Sequence, residues 1–259
     1  MDLGCGRLMP VSRILRNYGK TVLALDAEYV YELPSVINWA NSLRYNGLQS
    51  SGRNFLLDIQ KHRSKTQDAI DDITGNRIRT KIRILRNGVE NMCDVPTSSV
   101  DLAISISLLE HVRDVEAAFA EIRRVLRPGG LAANAIHLWG SVSGDHNPEW
   151  REFKRYPPWC HLRGRTNFRL PYAILNKFTS VQYIAALRKH FSEVKYEWIE
   201  DDELLKFGEA RDLLTEEVLG EIRLKNPAMP REDLLYATFI LCARAEDASQ
   251  ITGSRCRET

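Results

Sequence analysis

The sequence predicts an α/β fold, and three observations carry that expectation. The first is a strand, loop, helix, strand unit at the start: Asp2-Leu3-Gly4-Cys5-Gly6, a helix-like run from Val11 to Tyr18, then the apolar stretch Val22-Leu23-Ala24-Leu25 ending in Asp26. The second is Val100 to Ile106, apolar apart from Asp101 and Ser105, which suits a strand covered on both faces. The third is an amphipathic helix from Asp114 to Leu126, with Val115, Ala118, Phe119, Ile122 and Val125 at three- and four-residue steps, followed by a strand from Leu131 to Leu138.

The opening unit is read as a nucleotide cradle. Glycines at positions 4 and 6 let the backbone turn sharply after a strand and leave no Cβ between the main chain and a ligand. The helix that follows directs its free N–H groups toward the loop. An acid at the tip of the second strand suits a ribose, because a carboxylate accepts hydrogen bonds from two vicinal hydroxyls. Asp26 stands 26 − 2 = 24 positions after Asp2, a separation that one helix and two tight connections fill.

Asp-Leu-Gly-Cys-Gly with an acid at that distance resembles the first two motifs of class I S-adenosylmethionine-dependent methyltransferases, of the methyltransferase type 11 kind. Ser99 to Ser105 running into Leu108-Leu109-Glu110-His111-Val112 resembles that family's fourth strand, and Val125-Leu126-Arg127-Pro128-Gly129-Gly130 its turn into the fifth. The resemblance implies a Rossmann-like, doubly wound sheet of seven strands, mostly parallel with an antiparallel last strand, and S-adenosyl-L-methionine as cofactor. It implies cofactor contacts at Asp2, Gly4, Cys5, Gly6, Asp26 and Ala27, at Val89, Glu90 or Asn91 beside the adenine, and at Ser107. The family's third glycine is replaced by Leu8, and the first strand keeps only Met1 to Leu3, against a usual five or six residues. The expectation is therefore an incomplete first strand with a missing upstream segment.

The remaining elements follow in order. Residues 34–46 are expected to form a helix, started by Pro34, with Val36, Ile37, Trp39, Ala40 and Leu43 on one face. Residues 49–80 read as an insertion, helical from Phe55 to Ile73, and Lys81 to Leu85 as the third strand. Arg127-Pro128-Gly129-Gly130 stops the helix before it. Residues 139–176, rich in Trp, His, Arg and Pro, read either as an acceptor-binding wall or as packing for the sheet. A helix from Thr179 to Phe191 capped by Ser180, a strand from Val194 to Ile199, helix from Leu204 to Arg223 and a last strand from Leu234 to Ala243 complete a domain of residues 1–244, leaving 245–259 as a frayed tail.

Composition narrows the partners. With 36 basic and 34 acidic residues the net charge is +2, which does not advertise nucleic acid. No apolar run approaches the roughly twenty residues of a membrane span, so a cytoplasmic location is expected. The five cysteines, at 5, 93, 160, 242 and 256, are odd in number and share no metal-like spacing, so reduced thiols are expected. The histidines likewise lack ligand spacing with acids, and no metal is expected.

The expected reaction moves a methyl group to a small-molecule acceptor by in-line displacement. His111 and His137, both beyond strand ends, are the candidate bases, since imidazole titrates near neutrality. His146, Trp150, Trp159, His161 and Arg163 are the candidate acceptor contacts. Two rivals are a methyltransferase-fold binding protein without catalysis and an NAD-dependent oxidoreductase. Met9 stands where the dinucleotide fingerprint needs its third glycine or alanine.

Overall fold

The computed structural model describes residues 1–146, 157–165, 174–199 and 210–246. Seven strands form one sheet in the order β3-β2-β1-β4-β5-β7-β6. They are β1 (Asp2–Leu3), β2 (Leu23–Asp26), β3 (Arg83–Arg86), β4 (Val100–Ile106), β5 (Leu126–His137), β6 (Glu193–Ile199) and β7 (Thr238–Arg244). All neighbours run parallel except β7, which is antiparallel to both β5 and β6. Parallel strands need crossover connections, and helices α1 (Pro10–Asn17), α2 (Val36–Ile59), α3 (His62–Thr74), α4 (Val115–Val125) and α5 (Ser180–Arg188) supply them. The expected Rossmann-like sheet is present, with its antiparallel last strand.

β1 is two residues long and lies mid-sheet, with Leu3 level with Leu25 on one side and Ser105 on the other. Both residues are buried, and the backbone pairing continues past them through Gly4 and Cys5, whose amides donate to the Leu25 carbonyl at 2.8 and 3.1 Å. The main core clusters Leu3, Leu25 and Ala103 with Phe119 and Ile122 of α4 and Phe239 and Leu241 of β7. The fully buried stripe on α4 is the three- and four-residue pattern of its sequence.

α1 begins unusually. Its N-cap is Met9, in left-handed backbone at φ 49° with no side-chain acceptor, and Pro10 occupies the first turn. The acceptor comes from β1 instead: Asp2 Oδ2 receives the Ser12 amide at 3.0 Å and the Ser12 hydroxyl at 2.6 Å. The strand thereby caps the helix that follows it.

Several boundaries differ from expectation. The helix expected over 34–46 runs to Ile59, bent at Gly47 (φ 76°, ψ 173°), and leaves Val36 and Ile37 exposed. Asp114 caps α4 through the Ala117 amide, and β5 begins at once at Leu126, with Gly129 at φ 77°. Thr179, not Ser180, caps α5, in a reciprocal box with Gln182. The span expected as the start of the last strand is helical, since α8 (Arg231–Leu235) precedes β7; α6 (Ala210–Leu213) and α7 (Glu216–Lys225) fill the described part of the preceding helical stretch. Ala245, assigned to a frayed tail, is fully buried and exchanges backbone bonds with Gly129 and Gly130. Residues 247–259, with Cys256, lie outside the described residues, as does Trp150.

No helix among the described residues is long and apolar enough to cross a membrane. Asp2→Ala leaves the Ser12 amide and hydroxyl without their acceptor, and the expected loss is about 1–2 kcal/mol. Chemical denaturation measures it, and an unchanged midpoint would show that α1 is held by packing alone.

Candidate functional site

The carboxyl ends of β1, β2, β4 and β5 meet at one edge, where open parallel sheets collect ligands. Register puts Gly4 one step beyond the Leu3, Leu25 and Ser105 level, so the glycine loop, Asp26 and the end of β4 lie side by side. Gly4 and Gly6 both take left-handed backbone, at φ 65° and 64°. Their surroundings differ. A Cβ on Gly4 would stand 2.9 Å from Leu108 Cδ1, so that glycine admits Leu108, whereas a Cβ on Gly6 would meet nothing within 4 Å. The open side of the loop is at Gly6.

Asp26 clamps this loop. Its Oδ2 accepts the Gly6 amide at 2.9 Å and its Oδ1 accepts the Glu28 amide at 2.9 Å. Burial raises its pKa, and the two amides pull back toward the charged form. Each carboxylate oxygen retains an unused lone pair, so the residue fits two ribose hydroxyls while still holding the backbone. Arg7 extends the clamp through Glu28 at 2.8 Å and Ser50 at 2.7 Å, tying the loop to α2.

The other expected cofactor residues divide by position. Asp2 is spent on α1, and Cys5 turns its thiol into a small core with Met9, Val22 and Ala24, where burial pushes its pKa far up. Only the Cys5 backbone belongs to the loop. Val89 packs in the main core, while Glu90 Oε1 accepts the Arg113 and Asp114 amides at 3.1 and 3.3 Å ahead of α4. Ala27, Asn91 and Ser107 are exposed, and Ser107 holds φ 49° with its amide on the Ala135 carbonyl.

The acceptor side carries corrections. Trp159, a candidate acceptor contact, takes the packing alternative instead: it is fully buried in a second core with Val142, Leu162, Leu219 and Ile222. Arg163 is buried and paired to Glu221 at 2.7 Å, so it braces α7. His161 donates through Nε2 to the Trp139 carbonyl at 2.9 Å and packs edge-on against that indole. Aromatic and cationic residues with enough apolar neighbours build a core before they build a surface.

The histidines converge. A tight turn from Trp139 to His146, in which a Gly144 Cβ would lie 2.1 Å from the Trp139 carbonyl oxygen, brings His146 back at φ 55°. Its ring lies 4.5 Å from that of His137 and 5.0 Å from that of His111. His111 Nδ1 meets the Ile174 carbonyl at 2.8 Å, which fixes that nitrogen as the donor and leaves Nε2 a free lone pair. His137 Nε2 is engaged by Ser143 at 2.9 Å and Ser141 at 3.3 Å. Burial, then the charges of His137, His111 and His161, drive the His146 pKa down to about 3, so it is a neutral imidazole.

Glu110, the middle of the Leu-Glu-His stretch, received no role from the sequence. It is 3% exposed, and neither carboxylate oxygen makes a hydrogen bond. Burial pushes its pKa up to about 7, opposed by the nearby amides of Glu110 itself and His137. Asn176 holds the turn that carries it, donating to the Leu109 and Val112 carbonyls at 2.6 and 2.9 Å. Residues without ligand-like spacing in the sequence are nevertheless brought together by the fold. Ligand atoms of Glu110, His111 and His146 lie within 4.8 Å of one another, and so do those of Asp145, Cys160 and His161. Sequence distance concealed both groups.

Glu110 predicts a pH effect. A carboxyl whose folded pKa stands above its unfolded value binds its proton more tightly when folded, so its contribution to stability falls as pH rises from about 4.5 to about 7 and is level beyond. Glu110→Gln should therefore gain on the unsubstituted protein by about 1.4 kcal/mol per pH unit across that window, in buffer containing a chelator. Denaturation series at several pH values test this, and parallel curves would contradict it.

The comparisons bear on this geometry. Residues 53–134, from the second half of α2 through β5, match the family model described as a methyltransferase domain. No curated protein matches the chain. Among solved structures, an S-adenosylmethionine-dependent methyltransferase from Mesorhizobium loti is 17% identical, covering 94% of this chain and 89% of that one at a TM-score of 0.49. The complex between the Haloferax volcanii Trm112 methyltransferase activator and a methyltransferase gives 15%, 95%, 81% and 0.48. The YcgJ protein of Bacillus subtilis gives 14%, 95%, 91% and 0.43. Residues 53–134 thus match a methyltransferase domain, and the seven-stranded order and the glycine loop with its Asp26 clamp agree with the Rossmann-like fold that the sequence predicts.

Proposed function

We propose that the protein transfers a methyl group to a small-molecule acceptor whose reacting atom is a hydroxyl or an amine. The observation that carries this reading is the pairing of two features at one sheet edge: an open glycine loop held by Asp26, and a group of proton-accepting side chains beyond β4 and β5. S-adenosylmethionine, when bound, supplies a methyl already activated by its sulfonium for in-line displacement.

The chain then has three tasks. Gly6 and Asp26 hold the nucleoside, the latter through the lone pairs its two amide bonds leave free. The turn 139–146, buried for most of its length, excludes water from the acceptor side and presents His146 there. His111 is the better base of the two expected, because the Ile174 carbonyl orients its ring and its Nε2 is not engaged, whereas His137 spends Nε2 on two serines. An alkylation site needs orientation more than acid–base power, so His111 acts mainly on acceptors that must lose a proton.

In this reading, residues 1–244 form the catalytic domain and residues 139–176 contribute the acceptor wall through His146. Trp159, His161 and Arg163 support that wall from behind. The acceptor is a small molecule rather than a nucleic acid, in keeping with a net charge of +2.

Calorimetry with S-adenosylhomocysteine checks the nucleoside site. Asp26→Ala should weaken that binding by about 1–3 kcal/mol, the cost of leaving buried polar partners unsatisfied, and an unaltered affinity would remove Asp26 from it. Methyl transfer to fractionated cell extract tests the reaction itself. His111→Ala should lower kcat by about 10²–10⁴-fold with S-adenosylhomocysteine binding retained, as for loss of a general base. Product binding without transfer to any fraction would favour a binding protein over an enzyme.

A further inference from the structure

We propose that Glu110, His111 and His146 form a binding site for one divalent transition-metal ion, of which Zn2+ is the type. The ligand atoms of these three residues lie within 4.8 Å of one another. Two of the residues hold buried polar atoms without partners: both Glu110 carboxylate oxygens and His146 Nε2. A buried carboxylate with nothing on either oxygen is costly. A cation removes that cost by accepting lone pairs that no protein donor reaches.

The chemistry of the set selects the ion. Two imidazoles and one carboxylate suit Zn2+ and its neighbours, whereas Mg2+ and Ca2+ prefer all-oxygen shells. The supporting bonds are of the kind that metal-binding histidines use. His111 is oriented through Nδ1 by the Ile174 carbonyl, leaving Nε2 as the ligand atom. Asn176 fixes the turn bearing Glu110 and His111, and its own Oδ1 accepts the Tyr183 hydroxyl at 2.9 Å. His146 is placed by the Gly144 turn rather than by a hydrogen bond at Nε2. His137 backs the site with its nitrogen held by Ser143.

Three protein ligands leave a coordination position open. Glu110 and His111 follow the carboxyl end of β4, the edge where the acceptor is proposed to sit. The inference deepens the proposed function and rests on it for that role only: an ion here would hold the acceptor's oxygen or nitrogen and lower its pKa, so His111 would serve as ligand in place of a free base. Metal binding itself does not depend on methyl transfer.

The full-length protein, stripped with a chelator, is titrated with Zn2+ by calorimetry, and with Co2+ followed by visible absorption. The expected result is one equivalent bound, a raised Tm, and cobalt d–d bands without a near-ultraviolet thiolate band. Glu110→Gln and His146→Asn, the latter chosen because Asn tolerates left-handed backbone, should each weaken Zn2+ binding more than tenfold. Cys160→Ser should leave it unchanged. Circular dichroism and S-adenosylhomocysteine binding report whether each variant is folded. Absence of Zn2+ binding overturns the proposal, as does binding retained in both Glu110→Gln and His146→Asn. A thiolate band that disappears in Cys160→Ser places the ion at Asp145, Cys160 and His161 and also overturns it. If the unsubstituted protein binds the product nucleoside but not Zn2+, only this inference fails. If it binds Zn2+ but not the nucleoside, the proposed function fails and the metal site stands.

Discussion

Asp2 and Leu3 are the point on which the site depends. Two residues of parallel pairing set the height of the glycine loop against Asp26 on one side and the end of β4 on the other. The bonds that hold them run past the strand itself: Gly4 and Cys5 continue onto Leu25, Gly6 onto the Asp26 side chain, and Asp2 reaches forward to Ser12. A slip of one residue would turn Leu3 out of the core and carry Gly6 away from Asp26. Asp26 is therefore a structural brace, and the ribose role proposed for it would link nucleoside affinity to loop geometry through one carboxylate.

Much of the frame was legible in the sequence because local patterns and tertiary demands agree there. The α4 stripe, the apolar β4 and the glycines at 4 and 6 each have a single economical arrangement, and the fold adopts it. The glycine motif nevertheless hid a division of labour. Gly4 is required by the approach of Leu108, a residue 104 positions away (108 − 4), and no local reading reveals that contact. Asp2, read as part of the nucleoside motif, also serves as the acceptor for α1, because Met9 at the N-cap offers none.

The stretch after β5 was the least legible. Trp159 and Arg163 have the composition of a binding surface, yet Val142, Leu214, Leu219 and Ile222 enclose the indole and Glu221 neutralises the guanidinium. Whether an aromatic faces ligand or core depends on apolar partners supplied by α6 and α7, more than fifty residues downstream, and sequence spacing carries no information about them. The histidines show the reverse. His111, His137 and His146 have no ligand-like interval, yet the turn through Gly144 folds the third onto the first two.

That convergence decides the electrostatics of the edge. Burial first and the neighbouring imidazoles second disfavour protonation of His146 and keep it neutral, while burial alone disfavours charge on Glu110. The two shifts have a common cause and opposite sense: the region resists an isolated charge of either sign. A proton shared among these groups relieves only one of them at a time. A divalent cation satisfies the carboxylate and the imidazole lone pairs together, and it does so without asking any histidine to carry a positive charge. The arrangement that is expensive as a bare cluster thus holds its buried imidazole ready as a neutral ligand, and the free energy that burial withholds from the Glu110 carboxylate is returned when a positive centre enters.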